Sequence, residues 1–334
     1  MGLALVVGIE LIHLGSGTVR LTPDEVAHAL LGRPEQPWHE DIVVGLRLPR
    51  GLVAITAGAM LGAAGAMLQA VTRNALADPG LLGISSGAAL AIVLAASWGG
   101  GGMSVGSPWA PLVATGGAVV VGAVVFWLGW RQTGSAAGGG TDVMVLNGLM
   151  ITASVSALIS VILTLDGSVF GTVLRWLVGT LHATAWQDWD RLWPWAVVGL
   201  VAVAASLRAV TVLWAGAEVA TTVGVEISRA RMVVFAAAAV LSAGAVCAVG
   251  AIAFVGLVAA HLVRPLVGSH PVRLLPMAAV AGALLLLGAD TIANVLSFAV
   301  PDGGIAARAS LPTGAVTALV GGPLLLALVL KETR

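Results

Sequence analysis

Charge is what this chain of 334 residues has least of: 10% of the residues are Asp, Glu, Lys or Arg and 58% are apolar, where soluble domains carry roughly 25% charged residues. A water-soluble fold of that size is excluded. Lysine is almost missing as well. Lys331 stands alone and is followed by Glu332, so no Gly-Lys-Ser/Thr loop exists to cradle nucleotide phosphates, and the chain cannot bind ATP through a P-loop. Cysteine occurs once, at Cys247, which excludes an intramolecular disulfide and a cysteine-rich metal site. The histidines, His13, His28, His39, His182, His261 and His270, show no ligand spacing, and no metal or cofactor is expected on the polypeptide itself. Basic and acidic residues cancel at 16 each, leaving no basic face for nucleic acid. The absence of tyrosine and the preference for arginine read as codon bias.

Apolar length is what the chain has in abundance. About 20 apolar residues cross a bilayer, so there is room for at most roughly a dozen crossings and for no large extramembrane domain. Charge-free intervals mark 51–72, 143–165 and 309–330 as spans of one bilayer each. The interval 79–130 is broken by a Gly/Ser/Pro run at 99–111 and reads as two spans joined by a turn. The interval 232–263 is too long for one span and too short for two, and it predicts a full helix followed by a short one ending at His261 to Arg264. Spans at 192–214 and 274–297 and a segment at 3–14 bring the total to about ten. The segment 3–14 is short for a crossing and contains Glu10 and His13. It reads as a truncated first helix or a late start, and without a basic n-region or a small-residue cleavage site it does not read as a signal peptide. The fold class is an all-α polytopic membrane protein in which residues 1–334 form one transmembrane domain.

Between the first two spans, Thr22-Pro23-Asp24-Glu25 has the spacing of a capping box with proline at the first helical position, predicting a short helix at 23–31. Residues 170–181 resemble a half-length helix, followed by Trp186, Trp189, Trp193 and Trp195, whose density suits a membrane interface as well as ordinary packing. Ten spans put both termini on one side, which then holds nine basic residues against seven opposite. That bias favours cytoplasmic termini.

Three stretches are more specific than composition. The first runs from Arg47-Leu48-Pro49-Arg50 through Gly58, Gly62, Gly65 and Gln69 to Thr72-Arg73-Asn74-Ala75-Leu76-Ala77-Asp78-Pro79-Gly80. The second is Gly216-Ala217-Glu218-Val219-Ala220 with Gly224 and Arg231. The third begins at Gly250, passes His261 and Arg264, and continues through Ala289-Asp290 to Leu311-Pro312-Thr313-Gly314 and Gly321-Gly322-Pro323. Together, over nearly the whole chain, they resemble the permease subunits of the iron-siderophore, haem and vitamin B12 uptake family of ABC importers (FecCD-type). The resemblance implies a BtuC-like permease fold of about ten helices in the cell (inner) membrane. It also implies pairing with a second permease copy, identical or paralogous, a cytoplasmic ATPase dimer and an extracytoplasmic substrate-binding protein. The missing P-loop fits that division of labour.

Arg47 and Arg50 lie one helical turn apart at a membrane edge, where they can pair with carboxylates of a docking protein or contact lipid phosphate. The resemblance implies docking. Asn294 stands where the family commonly has a further arginine, and Arg308 is the candidate replacement. By the same resemblance 216–231 forms cytoplasmic coupling helices, with Glu218, Ala220, Gly224 and Arg231 as ATPase-contact candidates and Asn74 and Asp78 in a tight turn beside them. Gly58, Gly62 and Gly65 share one helical face and read as a packing surface. Asp290 and His261 read as structural elements before proton carriers, and Ala260 stands where the family has proline, which softens the local kink. Thr141, Asp142, Asn147, Thr152 and Ser156 are candidate linings of the translocation pathway. Two rival readings are a secondary carrier coupled to protons through Asp290 and His261 and a membrane scaffold without transport.

Overall fold

A computed structural model describes residues 2–80, 83–98, 109–133, 140–165, 177–182, 184–299 and 311–332, and all their regular elements are helical. In chain order these are α1 (Gly2–Gly15), α2 (Pro23–Leu30), α3 (Pro37–Glu40), a π-helical stretch (Asp41–Arg47) and α4 (Leu48–Thr72). They are followed by α5 (Ile84–Trp98), α6 (Ala110–Thr133), α7 (Gly140–Leu165), α8 (Trp186–Ala215) and α9 (Ala217–Thr222). The last four are α10 (Ile227–Val249), α11 (Val255–Val267), α12 (Pro271–Ala299) and α13 (Thr313–Glu332). Six segments are long and apolar enough to cross a membrane: Pro37–Thr72, α6, α7, α8, α10 and α12. The apolar helices α1, α5, α11 and α13 are shorter. Length and composition thus mark six candidate crossings among the described residues, where the sequence predicts about ten. The break predicted in 232–263 is present between α10 and α11. The turn predicted at 99–111 and the half-helix at 170–181 lie largely outside the described residues.

α4 is the axis of the bundle. Most of its length is buried, against α12 above all and then α10, α8 and α11. Its glycines explain how so many helices reach it. A Cβ on Gly58 would strike the carbonyl of Gly282, one on Gly62 the carbonyl of Ala278, and one on Gly65 the backbone of Gly256. Backbone meets backbone along this face, and the loss of any hydrophobic drive between helices in lipid is offset by close van der Waals contact.

Pro49 shapes the start of this axis. Proline has no N–H and its ring crowds the preceding turn, and the chain answers by widening to π-helix over Asp41–Arg47. In that register the carbonyl of Val44 would be paired to the N–H of residue 49, which proline lacks. The indole Nε1–H of Trp186 donates to that carbonyl instead, at 2.9 Å. Trp186 therefore has a specific polar partner besides any interfacial preference.

The capping box on α2 is formed as its sequence predicts. The backbone N–H of Thr22 donates to Glu25 at 2.7 Å and the N–H of Glu25 donates to the Thr22 hydroxyl at 3.3 Å. The bond from the Thr22 N–H, followed by that from its hydroxyl, holds the Glu25 carboxyl below its ordinary value of 4.5. A depressed carboxyl contributes stability that is present above the unfolded pKa and lost as pH falls through the folded one. Amide exchange in α2 should therefore be pH-independent above about 5 apart from intrinsic chemistry, and protection should fall below 4.5 in the native chain but much less in Glu25→Gln, which has no carboxyl to titrate. The helix contacts give a second expectation. Gly62→Leu should destabilise the detergent-solubilised protein by about 3 kcal/mol or more through overpacking, whereas Gly288→Ala, whose Cβ meets nothing within 4 Å, should unfold thermally at or above the native midpoint.

Candidate functional site

The end of the bundle carrying α2 is held by two arginines, and both turn inward. Arg47 is 9% exposed, and its guanidinium donates to the carbonyls of Leu14 and Val19, each at 2.5 Å. Gly17, at φ +152°, passes directly beneath that guanidinium, where any Cβ would collide with it. A cation on the last carbonyls of α1 complements that helix terminus. Arg50 makes a bidentate pair with Asp290, 2.7 and 2.9 Å, and Asp290 also accepts from the Thr313 hydroxyl at 2.7 Å. Asp290 is fully buried. Both guanidinium groups are thus engaged within the chain: Arg47 ties α1 to the π-helical stretch that leads into α4, and Arg50 locks α4, α12 and α13 together. Asn294 contacts the carbonyl of Ser16 at 3.4 Å. Arg308 lies outside the described residues.

Glu10 and His13 enter the same region from α1. His13 approaches the Thr291 hydroxyl at 3.3 Å and Asp290 at 3.9 Å. The Glu10 carboxylate lies over Gly51, where a Cβ would collide with it, and neither of its oxygens has a hydrogen-bond partner among the described residues.

At the opposite end α4 stops at Arg73, which takes the left-handed conformation at φ 49° and donates to the carbonyl of Leu213 at 3.2 Å. The loop that follows is folded on itself: Asn74 accepts from the N–H of Leu76 at 2.8 Å and Asp78 from that of Gly80 at 2.8 Å. Asp78 does not start a helix, as its pairing with Pro79 suggests it should, and it is not on the surface. It is 3% exposed and reaches the N-terminus of α11, accepting from the N–H of Leu257 at 3.0 Å. Burial pushes its carboxyl up and these two N–H groups pull it back. Beside this loop, α9 is a single short helix closed by Gly224 at φ +73°, with Ala220 buried beneath it and Val219 and Val223 exposed. Arg231 lies in the second turn of α10. The side chain of Glu218 lies outside the description.

A cavity of about 630 Å³ lies between one face of α7, the start of α5 and the segment joining α10 to α11. Its walls are Thr152, Ser156, Ser160 and Thr164 of α7, Ser85 at the start of α5, Asp78, and the stretch 251–254 between α10 and α11. That stretch is not helical: Gly250 has φ 77° and Phe254 φ 69°. Irregular backbone at membrane depth is tolerated where it is buried in protein or lines a cavity. Of the predicted pathway residues, Thr152 and Ser156 line this space. Asn147 is buried in α7 away from it, and the side chains of Thr141 and Asp142 are outside the description. Sequence reasoning missed Ser160 and Thr164, although both continue the four-residue spacing of Thr152 and Ser156. Among the described residues no cluster of His, Cys, Asp or Glu could hold a metal ion.

This architecture has known counterparts. A model of the FecCD transport family matches residues 4–331. The chain belongs to that family. It is 34% identical over 294 residues to the cobalamin import system permease protein BtuC of Halobacterium salinarum, covering 88% of this chain and 74% of that one. It is 30% identical to the iron(3+)-hydroxamate import system permease protein FhuG of Bacillus subtilis, covering 98% and 94%. A solved structure described as a metal-chelate type ABC transporter in an inward-facing conformation superimposes with a TM-score of 0.80 at 26% identity, covering 99% of this chain and 97% of that one. This FecCD member is thus a membrane-embedded permease subunit of an ABC importer and not an enzyme; nucleotide hydrolysis belongs to a separate subunit.

The lock between three helices can be tested directly. Asp290→Asn leaves Arg50 buried without a counter-charge and should cost about 3–5 kcal/mol, while Thr313→Val should cost about 1 kcal/mol. Thermal unfolding in detergent of the two variants reads the difference; equal small effects would show that the pair contributes no more than one neutral hydrogen bond.

Proposed function

We propose that this chain is the translocation subunit for a ferric siderophore or a related metal chelate, haem or cobalamin, carried into the cytoplasm. The observation that carries the reading is the largely apolar cavity, studded with hydroxyls, beside broken backbone, in a chain matched by the FecCD model over 4–331. With the four shorter apolar helices counted as crossings, ten spans place both termini and α9 in the cytoplasm and α2 outside. Two permease copies, or this chain and a paralogue, enclose the passage between their α7 faces. An ATPase dimer seats on α9, whose exposed Val219 and Val223 suit an apolar groove. Glu218, Gly224 and Arg231 flank that contact, and Asn74 supports it from the neighbouring loop.

The binding protein docks on the outer end. Arg47 and Arg50 shape that platform from inside, and the 301–310 connection, with Arg308, supplies the cation that meets an acidic partner.

The test is radio-iron uptake by cells that express this chain with an ATPase and a binding protein but no other chelate importer. Uptake should require ATP hydrolysis. Val219→Glu should cut it about tenfold, the scale of roughly 1.4 kcal/mol of lost contact, and should release the ATPase from the purified complex without lowering the amount of permease in the membrane. Arg308→Glu should weaken binding-protein affinity. Uptake that persists without the ATPase and collapses with an uncoupler would overturn the reading in favour of a proton-coupled carrier.

A further inference from the structure

We propose that the cavity between α1, α2 and α12 is a phospholipid site, in which the loop after α1 takes the phosphate of one lipid and the exposed apolar residues of α1 and α12 take its acyl chains. The inference goes beyond the importer reading and uses only its placement of the α2 end at the outer membrane surface.

The loop after α1 turns its backbone acceptors inward and leaves its donors free. The carbonyls of Leu14 and Val19 accept from the guanidinium of Arg47, that of Gly15 from the N–H of Leu21, and that of Ser16 from the Asn294 amide. The N–H groups of Gly17, Thr18, Val19 and Arg20, by contrast, meet no acceptor among the described residues. Such a run of oriented amides is a fixed positive partial charge, which attracts an anion. Gly17 and Thr18 line a cavity of about 870 Å³.

A full charge of the same sign stands beside them. Arg20 lines this cavity and is exposed, and it forms no ion pair among the described residues. No aspartate or glutamate is among the lining residues. Glu25 of the neighbouring α2 already has its carboxylate bound by the N–H and hydroxyl of Thr22. A phosphate suits this arrangement because its oxygens accept from several donors at once, the guanidinium among them.

Depth decides between a lipid and a soluble anion. Leu11 and Ile12 wall the cavity from α1 and Val295 from α12, and they are 51%, 61% and 44% exposed. Leu11 and Ile12 lie about one helical turn, roughly 5 Å, below the loop, and Val295 lies about one turn from the end of α12. Exposed apolar side chains at that depth meet acyl chains. Trp38 and Trp186, exposed at the same end, suit headgroup level. A free phosphate, or an acidic side chain of a binding protein, would satisfy Arg20 and the N–H groups and leave the apolar wall uncovered. A phospholipid covers both. An anionic headgroup is favoured over a zwitterionic one, whose own cation would lie near Arg20. Bound there, the lipid bridges α1, α2 and α12 around the loop that Arg47 holds from beneath.

The experiment titrates the purified, delipidated full chain in detergent with three probes: dioleoylphosphatidylglycerol, a galactosyl diacylglycerol with the same acyl chains and no phosphate, and inorganic phosphate. Native mass spectrometry counts bound lipid, and thermal unfolding reads stabilisation. Phosphatidylglycerol should fill a saturable site and raise the unfolding midpoint, at concentrations where the other two probes do neither. Arg20→Gln should weaken that binding about fivefold, the scale of one cation at a membrane surface. Arg20→Lys should retain it, and so should Arg33→Gln, which alters an exposed arginine outside the lining. Ile12→Asn should weaken lipid binding through the apolar wall while the protein elutes as wild type; should that variant fail to fold, Val295→Asn replaces it. Galactolipid binding as tightly as phosphatidylglycerol, inorganic phosphate stabilising as well, or Arg20→Gln binding lipid no more weakly than Arg33→Gln would overturn the proposal. An Arg20→Gln variant that keeps its lipid affinity and loses affinity for the binding protein would overturn it in favour of a protein contact. None of these outcomes touches ATP-driven uptake, on which the importer reading stands or falls separately.

Discussion

Contact between bare backbones along one face of α4 sets the geometry of everything else. Gly58 meets Gly282, Gly62 meets Ala278 and Gly65 meets Gly256, so α12 and the start of α11 approach α4 more closely than side chains would allow. In water that approach could be driven by burying apolar area; in lipid it depends on shape, because hydrocarbon solvates leucine as well as protein does. Small residues on three successive turns are the price of such an approach. The three contacts also fix register, since a slip of one residue on α4 would place a methyl group or larger where a carbonyl oxygen now lies.

Register then determines which polar groups meet. With α12 held by Gly58 and Gly62, Asp290 arrives opposite Arg50 two turns nearer the α2 end, and α13 brings Thr313 to the same carboxylate. With α11 held by Gly65, the N–H of Leu257 reaches Asp78. Each of these charges is affordable in a low-dielectric interior only because its partner is positioned by backbone packing. Among the buried polar groups without a partner among the described residues, Ser85 and Thr152 face the cavity, and Glu10 faces Gly51 from α1.

Much of this was legible from residue order, and for identifiable reasons. Spans bounded by charge, the capping box at Thr22 and the break after Val249 all follow from local rules of length, capping and charge, which one sequence displays in full. The packing role of Gly58, Gly62 and Gly65 was readable because helical spacing alone puts them on one face. The arginines were not readable in the same way. Arg47 and Arg50 announce a membrane edge, but whether they point outward or inward depends on the carbonyls of Leu14 and Val19 and on Asp290, the last of them 240 residues away. Asp78 shows the same limit: its bond to the N–H of Leu257 joins the loop after α4 to α11, 179 residues away. Thr152 and Ser156 were found through polarity in an apolar span, and extending their period by two turns reaches Ser160 and Thr164.

The loop after α4 connects these features mechanically. Arg73 grips the carbonyl of Leu213, one turn before α8 gives way to α9, and five residues later Asp78 grips the first turn of α11. Between them the chain is tied by bonds within Thr72, Asn74 and Leu76, so the segment has little slack to absorb a displacement. The end of α8 is thus joined through Arg73 and a short, internally bonded loop to α11, next to the non-helical stretch 251–254 that forms one wall of the cavity. A continuous α10–α11 helix could only tilt as a whole. One interrupted at Gly250 and Phe254, both at positive φ, changes direction, so that α10 packs against α4 and α8 while α11 packs against α4 and α12. The interruption thus lines the cavity with backbone and lets α11 be held by its own contacts, to Asp78 and to Gly65, separately from α10.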